Sequence, residues 1–273
     1  MNLLFSIDDM YVDHFKVMLY SLVRQTKNRK LEIYVLQKTL LKRHTELIQY
    51  TQNLEVGYHP IIVGTEVFAQ APTTDRYPDT IYYRLLAHKF LPETLDRILY
   101  LDADMLCLND FSSLYDMELG DQLYAAASHN TDGKFLDYVN KLRLKNVELE
   151  SSSYFNTGVL LMNLPAIRKV VHQQTILDYI MQNRGRLILP DQDILNGLYA
   201  NLVKPIPDEI YNYDARYSLI YQLKSRNEWD LEWVINHTVF LHFAGRDKPW
   251  KKDYRGRYSG LYKFMAKEAL TKN

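Results

Sequence analysis

Apolar and polar positions alternate in blocks along the chain, and the blocks predict strands separated by helices. In the first hundred residues, short apolar runs predict strands over residues 3–7, 31–36, 56–63 and 97–101. An apolar residue at every third or fourth position predicts helices over residues 12–25, 40–52 and 80–90, the last one ended by Pro92. Such alternation predicts an α/β fold with a mostly parallel central sheet flanked by helices.

The second half of the chain continues this pattern with longer intervals. Apolar runs predict strands over residues 123–127, 155–162 and 238–243, and helical spacing predicts a long helix over 166–183 and a short one over 191–199. Basic and aromatic residues are mixed from residue 248 onward. We therefore expect one domain over residues 1–247 and a basic, aromatic C-terminal extension over residues 248–273.

Composition narrows the class of protein. The 273 residues are 47% hydrophobic and 24% charged, as in an ordinary globular protein, and the formal net charge is zero. This balance gives no basic field for nucleic acid. The single cysteine excludes an internal disulfide. The first residues lack the basic region of a signal peptide, and no apolar run reaches the roughly 20 residues that span a bilayer, so we expect a cytoplasmic protein.

Two acidic pairs follow predicted strands of this sheet. Asp8 and Asp9 follow the first strand, and Asp102 and Asp104 follow the fourth, within ILYLDADMLCLND. Ligands of α/β sheets bind beyond the carboxyl ends of the strands. Residues i and i+2 of an extended chain point the same way, so Asp102 and Asp104 can converge on a hard cation such as Mg²⁺ or Mn²⁺. A solvated turn is the alternative, since Asp favours turns.

Further candidate site residues lie within four other segments of the sequence. In VFLHFAGRDKPW, His242 adds a nitrogen ligand that favours Mn²⁺ over Mg²⁺, and Lys248 can bind a phosphate as a point charge. A histidine in the core and a lysine on the surface are the alternatives. Other polar candidates are Arg84 in IYYRLLAHKF, Asn156 and Thr157 in YFNTGVLLMNL, and Asp191 and Gln192 in LPDQDILN. A surface arginine, a turn and a helix cap are their ordinary roles.

Taken together, these segments resemble glycosyltransferase family 8. The resemblance runs in order through FSIDDMY, YYRLLAHKFLP, RILYLDADMLCLND, YFNTGVLLMNL, LPDQDILN and HFAGRDKPW. It is closer to the bacterial lipooligosaccharide α-galactosyltransferases than to the glycogenins. It implies a GT-A fold and retaining transfer of a hexose, glucose or galactose, from a UDP-hexose to a saccharide or lipid-linked acceptor in the biosynthesis of cell-surface polysaccharide.

The resemblance also implies roles for individual residues. Asp102, Asp104 and His242 would hold Mn²⁺, or Mg²⁺, against the diphosphate of the UDP-sugar. The nucleotide would meet Ser6, Ile7, Asp8, Tyr11, Asp102, Ala103, Gly245 and Lys248. The donor sugar would meet Arg84, Asn156, Thr157, Asp191 and Gln192. Of these, Gln192 and Asp191 are the catalytic candidates, acting either as a nucleophile or as stabilisers of an oxocarbenium-like state during same-face attack.

Two positions depart from the family pattern. Met10 stands where relatives often carry Asn, which implies that one polar contact to the uridine or the ribose is missing. His129 stands where relatives often place a sugar-binding Asp, so the identity of the donor sugar stays open.

Two alternative functions remain, and the C-terminal extension has two alternative roles. The first alternative function is a protein that binds nucleotide sugars without turnover. A phosphatase of the haloacid dehalogenase type also uses D-x-D, but there the motif comes early in the chain. The tail either packs on its own domain or contacts the inner face of the plasma membrane, since aromatic and basic residues together favour anionic lipid.

Overall fold

A seven-stranded mixed sheet forms the centre of the molecule. The computed structural model describes residues 1–26, 29–69, 71, 78–128 and 154–271. The strand order is β3-β2-β1-β4-β7-β6-β8, and β7 alone runs against its two neighbours. The strands are β1 (Asn2–Ser6), β2 (Glu32–Gln37), β3 (Gly57–Ile62), β4 (Arg97–Leu101), β6 (Tyr124–Ser128), β7 (Phe155–Asn163) and β8 (Val203–Ile206). The predicted α/β architecture with a mostly parallel sheet is confirmed.

Helices cover both faces of this sheet. The α-helices are α1 (Val12–Gln25), α2 (His44–Asn53), α3 (Ser112–Tyr115), α4 (Leu164–Val170), α5 (Gln173–Gln182), α6 (Pro190–Tyr199), α7 (Asp208–Tyr211), α8 (Ser218–Lys224), α9 (Leu231–His237) and α10 (Ser259–Thr271). Single 3₁₀ turns lie at Asp9–Tyr11, Ala200–Leu202 and Ala215–Tyr217.

Successive side chains of the central strands point to opposite faces of the sheet, and each face has its own buried cluster. In β1, Leu3 and Phe5 pack with Phe15 of α1 in one buried cluster, whereas Leu4 packs with Tyr82 in the cluster on the opposite face. Strand β4 alternates in the same way. Because both faces of a central strand are covered, such strands read as continuous apolar runs.

A small second sheet lies beside the end of β4. It orders β5 (Met105–Cys107), β10 (Phe240–His242) and β9 (Tyr213–Asp214), with β10 antiparallel to β5 and parallel to β9. Only three residues, 102–104, separate the end of β4 from the start of β5, so the acidic turn joins the two sheets. The register pairs His242 with Met105 and with Asp214, which brings the histidine next to the acidic turn.

Two predicted helices differ from the structure. The predicted long helix over 166–183 is two helices, because Val171 is extended at φ −91° and ψ 110°. Nine residues of helix turn through about 900°, which would put Ile176 on the face opposite to Ile167. The break lets both isoleucines be buried. The predicted helix over 80–90 is a series of 3₁₀ turns over Asp79–Lys89, interrupted at Leu86.

The C-terminal residues pack on the main body. Helix α10 lies against α1, and Tyr258, Tyr262 and Ala269 are buried in a cluster with Val17. Phe264 remains 59% exposed. Over the described residues, none of the helices combines the length and the apolar character that crossing a bilayer requires. The division at residue 247 stays a prediction.

Candidate active site

The acidic turn directs one oxygen of each aspartate toward a common point. Asp102 Oδ1 accepts a hydrogen bond from the Tyr100 hydroxyl at 2.9 Å and lies 3.0 Å from Arg84 Nη1. Asp104 Oδ2 is paired with Lys248 Nζ. The other oxygens, Asp102 Oδ2 and Asp104 Oδ1, lie 3.9 and 3.3 Å from Nε2 of His242. Each carboxylate is thus anchored at one oxygen and presents the second to the histidine.

Directed hydrogen bonds fix which nitrogen of His242 faces the carboxylates. The backbone N–H of Gly158 can only donate, and it donates to Asn156 Oδ1 at 2.8 Å. Asn212 Nδ2 donates to that same oxygen at 2.8 Å, so Asn212 Oδ1 is left as the acceptor for His242 Nδ1 at 2.9 Å. In the neutral ring, Nδ1 therefore carries the hydrogen and Nε2 presents a lone pair to the carboxylates.

These residues fit a divalent cation. The ligand atoms of Asp102, Asp104 and His242 all lie within 4.8 Å of one another. Among the described side chains, Asp104 Oδ1 is a buried oxygen without a hydrogen-bond partner. Three lone-pair atoms facing one another repel unless a cation lies between them, and two carboxylates with one imidazole form a donor set that Mn²⁺ accepts.

Gly158 leaves the space next to this cluster. A Cβ at position 158 would lie 2.6 Å from His242 Cε1 and 2.9 Å from both Asp102 Oδ2 and Asn156 Oδ1. The backbone of Gly158 also accepts the N–H of Asp102 at 2.9 Å. Close approach of this backbone to the three side chains therefore requires glycine.

Burial and neighbouring charge separate the two aspartates. Burial raises the pKa of Asp102, and Asp104 adds to the rise while Arg84 opposes it. Burial alone would also raise the pKa of Asp104, but Lys248 and His242 outweigh it and hold this pKa below its ordinary value. Asp104 is therefore the more firmly ionised member of the pair.

Arg84 connects the acidic turn to the predicted donor-sugar residues. Its side chain is 7% exposed, and Nη1 donates to the carbonyl of Thr157 at 2.9 Å and lies 3.3 Å from Asp191 Oδ2. Burial lowers the pKa of a guanidinium, but the carboxylates of Asp102 and Asp191 outweigh this and raise the pKa of Arg84. The arginine is held as a buried cation between two carboxylates.

The remaining predicted sugar residues lie around Arg84. Asp191 Oδ2 accepts the Thr157 hydroxyl at 2.6 Å, and Gln192 Oε1 accepts Asn156 Nδ2 at 3.3 Å. Helix α6 begins at Pro190, so both Asp191 and Gln192 lie in its first turn. The amino end of β7 supplies Asn156 and Thr157, and because β7 is antiparallel to β4, it meets the acidic turn there.

The predicted nucleotide residues lie at the end of β1. Asp8 accepts the backbone N–H of Met10 at 2.9 Å and so caps the following 3₁₀ turn, which contains Tyr11. Burial raises the pKa of Tyr11, and the charges of Asp104 and Asp102 raise it further. Ser6 donates to the carbonyl of Thr80 at 2.7 Å.

Ile7 and Ala103, which are also predicted to meet the nucleotide, are buried, whereas Met10, one of the two departures from the family pattern, is exposed. Ile7 is buried and donates its backbone N–H to Leu36, and Ala103 is 7% exposed between the two aspartates. Met10 is 83% exposed, so its side chain offers little to a ligand. His129 lies outside the described residues.

The predicted diphosphate residues Gly245 and Lys248 lie on the loop that follows β10. Gly245 has φ +90°, and a Cβ there would lie 2.9 Å from Nη1 of Arg216. Lys248 Nζ also donates to the Phe243 carbonyl at 2.9 Å. Arg216 is held by buried Asp214, which its Nε meets at 2.9 Å.

Sequence reasoning missed Asn212, Tyr100 and Arg216. Asn212 is fully buried and bridges His242 to Asn156, yet it lies 30 and 56 residues from them along the chain. A lone asparagine in YNYDARY gives no signal of such a bridge. Tyr100 was readable only as one apolar position of β4.

Comparison with known proteins agrees with this geometry. A family model described as glycosyl transferase family 8 matches residues 2–254. A lipopolysaccharide 1,2-glucosyltransferase of Escherichia coli is 29% identical over 260 residues, which are 91% of this chain and 73% of the relative. General stress protein A of Bacillus subtilis is 24% identical over 273 residues, covering 96% of this chain and 91% of the relative.

Solved structures show the same fold. The galactosyltransferase LgtC, in complex with donor and acceptor sugar analogues, superposes with a TM-score of 0.81 at 24% identity, covering 98% of this chain and 96% of that one. GlyE of Streptococcus pneumoniae superposes with a TM-score of 0.70 at 22% identity, covering 99% and 62%. These likenesses confirm the predicted GT-A fold, and because the family model spans nearly the whole sequence, the chain belongs to glycosyl transferase family 8.

Proposed function

We propose that this protein is a Mn²⁺-dependent, retaining hexosyltransferase that moves glucose or galactose from a UDP-hexose to a saccharide or lipid-linked acceptor. The observation that carries the proposal is the convergence of lone pairs. Asp102 Oδ2, Asp104 Oδ1 and His242 Nε2 face one another, and Asp104 Oδ1 has no hydrogen-bond donor among the described residues. The lipopolysaccharide glucosyltransferase relative supports a hexose donor.

Charge development on the leaving diphosphate explains the cationic side of the site. A divalent cation held by Asp102, Asp104 and His242 supplies Lewis-acid stabilisation of that charge. Lys248 adds a second positive charge beside Asp104. Preorganised cations in a site that excludes water are worth more than in bulk solvent. Gly245, on the same loop, lets the backbone come close to the phosphates.

Asp191 and Gln192 support same-face attack over a covalent sugar intermediate. Asp191 already accepts the Thr157 hydroxyl and lies 3.3 Å from Arg84, which lowers its nucleophilicity. Gln192 offers an amide oxygen, which is a poor nucleophile. The acceptor hydroxyl would attack on the face from which the diphosphate leaves, and a phosphate oxygen would take its proton. Asp191 and Gln192 would stabilise the oxocarbenium-like state.

Binding and turnover experiments test this proposal together. Loss of the free Mn²⁺ signal in electron paramagnetic resonance measures metal binding, and calorimetry measures UDP affinity with and without Mn²⁺. Release of UDP from UDP-glucose or UDP-galactose measures turnover. We expect Mn²⁺ to tighten UDP binding, and NMR of the product from an α-linked donor to show an α-linked sugar. A β-linked product, or a UDP affinity that is the same with and without Mn²⁺, would contradict the proposal.

The same assays decide between the alternatives. UDP binding without UDP release, with any sugar donor, would indicate a nucleotide-sugar-binding protein. A phosphatase of the D-x-D type needs a free nucleophile on the first aspartate. Here Asp102 Oδ1 is bonded to Tyr100 and lies 3.0 Å from Arg84, and Oδ2 faces His242 as a proposed metal ligand, so this alternative is weaker.

We also propose that the protein contacts the inner face of the plasma membrane as a peripheral protein. Lys263, Phe264 and Lys267 of α10 are exposed on the side away from buried Tyr262. An exposed aromatic ring between two lysines suits an anionic lipid surface. Flotation with vesicles of phosphatidylcholine and phosphatidylglycerol should carry the protein upward, and the triple variant K263Q/F264S/K267Q should stay behind. Equal flotation of both proteins would remove this step.

A further inference from the structure

A basic cavity of about 680 Å³ opens on the loop between β10 and α10. Its lining carries six cationic side chains and two carboxylates, in a chain whose total charge is zero. The cations are Arg216, Arg246, Lys248, Lys251, Arg255 and Arg257, and the carboxylates are Asp247 and Asp253. The cavity therefore concentrates positive charge that the rest of the molecule does not have.

Three of these arginines are available to a ligand. Among the described residues, none of the salt bridges involves Arg246, Arg255 or Arg257. All three are exposed. By contrast, Arg216 is held by Asp214 and Lys248 is paired with Asp104. Guanidinium groups without a carboxylate partner suit phosphate oxygens, which they bind in a bidentate manner.

The cavity is continuous with the candidate active site. Lys248 lines it and also contacts Asp104 of the metal-ligand set. Arg216 lines it and lies against the backbone of Gly245. A donor diphosphate at Gly245 and Lys248 would therefore occupy one end of the cavity and leave Arg246, Arg255 and Arg257 unused. The proposed same-face attack comes from the side of the leaving diphosphate, so a molecule bound in this end of the cavity would approach the reacting centre from that side.

We propose that this cavity binds a phosphate group on the acceptor saccharide, so that the enzyme selects phosphorylated over neutral acceptors. The inference rests on the proposed glycosyl transfer and adds the chemical class of the acceptor. Arg246, Arg255 and Arg257 bind the phosphate, and the sugar hydroxyl that is to be glycosylated points toward Lys248 and the metal ligands. A neutral saccharide lacks the group that these arginines recognise.

Binding of a soluble sugar phosphate tests the inference. The protein is first saturated with UDP and Mn²⁺, which fills the diphosphate site, and calorimetry then compares glucose 6-phosphate with glucose. Charge-assisted contacts from two or more arginines predict that glucose 6-phosphate binds at least about tenfold more tightly. The double variant R255Q/R257Q should lose about tenfold of that affinity, and R246Q should also weaken it. UDP affinity should stay unchanged in both variants.

A matched control variant and a measurement of binding to lipid vesicles complete the experiment. R184Q/R186Q removes two exposed arginines at the same spacing elsewhere in the chain and should bind glucose 6-phosphate as the unaltered protein does. Equal binding of glucose and glucose 6-phosphate, or a preference that survives R255Q/R257Q, overturns the inference. So does a result in which the arginine variants lose only the binding to phosphatidylglycerol vesicles. Failure to bind UDP with Mn²⁺ at all would instead contradict the proposed function.

Discussion

Replacing Asn212 by leucine should weaken Mn²⁺ binding although Asn212 is not a metal ligand. Its Oδ1 accepts the hydrogen of His242 Nδ1 at 2.9 Å, and its Nδ2 donates to Asn156 Oδ1 at 2.8 Å. Leucine has the same number and branching of side-chain heavy atoms but offers no acceptor. The imidazole can then carry its hydrogen on Nε2, where it blocks the lone pair that the metal needs, or can turn away from Asp104.

The magnitude follows from what Asn212 supplies. Partners of metal-bound histidines contribute about 10- to 100-fold to metal affinity, which is about 1.4–2.7 kcal/mol. Asn212 is the partner of Nδ1 and is fully buried, so water cannot replace it without rearrangement. The same change leaves the Nδ1 hydrogen without an acceptor, which should cost about 1–3 kcal/mol of folding stability.

Two measurements separate loss of the tautomer from general damage. Electron paramagnetic resonance of free Mn²⁺ gives the dissociation constant, and long-range ¹H–¹⁵N NMR of the metal-free protein identifies which nitrogen of His242 carries the hydrogen. The control N109A removes a side chain that bridges the carbonyls of Ile235 and Thr238, beside β10 but away from His242. We expect N109A to lose stability and keep Mn²⁺ affinity. If N212L bound Mn²⁺ within twofold of the unaltered protein, the hydrogen-bond chain would have no role in the site.

Three further changes follow from the structure. Gly158→Ala puts a Cβ 2.6 Å from His242 Cε1 and should reduce Mn²⁺ affinity about tenfold or more, whereas Gly185→Ala, which meets nothing within 4 Å, should leave it unchanged in the same titration. Asp104→Asn replaces a charged metal ligand by a neutral amide oxygen, so calorimetry should find a UDP affinity that responds much less to Mn²⁺. Burial lowers the pKa of His88 from 6.5 to about 4, so the unfolded chain takes up this proton first as the pH falls. The free energy of unfolding should therefore decrease between pH 6.5 and 4, by about 1–2 kcal/mol for this partly exposed ring, and urea titrations of His88→Phe should show a shallower decrease.

Local patterns in the sequence were sufficient for six of the seven strands of the central sheet and for the acidic turn, whereas the four-residue strand β8 was not predicted. The apolar runs at β1 and β4 are long enough to identify buried strands, and Asp102 and Asp104 follow β4 without a gap wider than one residue. Only Ala103 separates the two aspartates, so the convergence of their side chains depends on the local backbone alone. The chemistry of the turn could therefore be expected before any long-range contact was known.

Other features of the fold and the site could not be predicted, because they depend on contacts between residues that are far apart in the sequence. Strand β10 lies within the strand predicted over residues 238–243, but β9 has only two residues, too few to show a period, and Asn212, which directly precedes β9, meets His242 there. The break at Val171 depends on which face of the helix meets the core, and spacing within the helix does not reveal that. Positions whose role depends on partners far along the chain could not be assigned from their own neighbours.

Charge balance joins metal binding to nucleotide binding. The carboxylates of Asp102, Asp104 and Asp191 provide three negative charges, and Arg84 and Lys248, which are paired with them, provide two positive ones. These five side chains therefore carry one net negative charge, which repels the diphosphate of a nucleotide sugar. A divalent cation reverses the sign to one net positive charge, in surroundings where burial keeps the effective dielectric low. Arg84 and Lys248 are too few to reverse it by themselves, because each is already paired with a carboxylate. In the proposed function, metal binding would thus be a condition for tight donor binding, and residues that orient the metal ligands, such as Asn212 and Gly158, would control the nucleotide affinity indirectly.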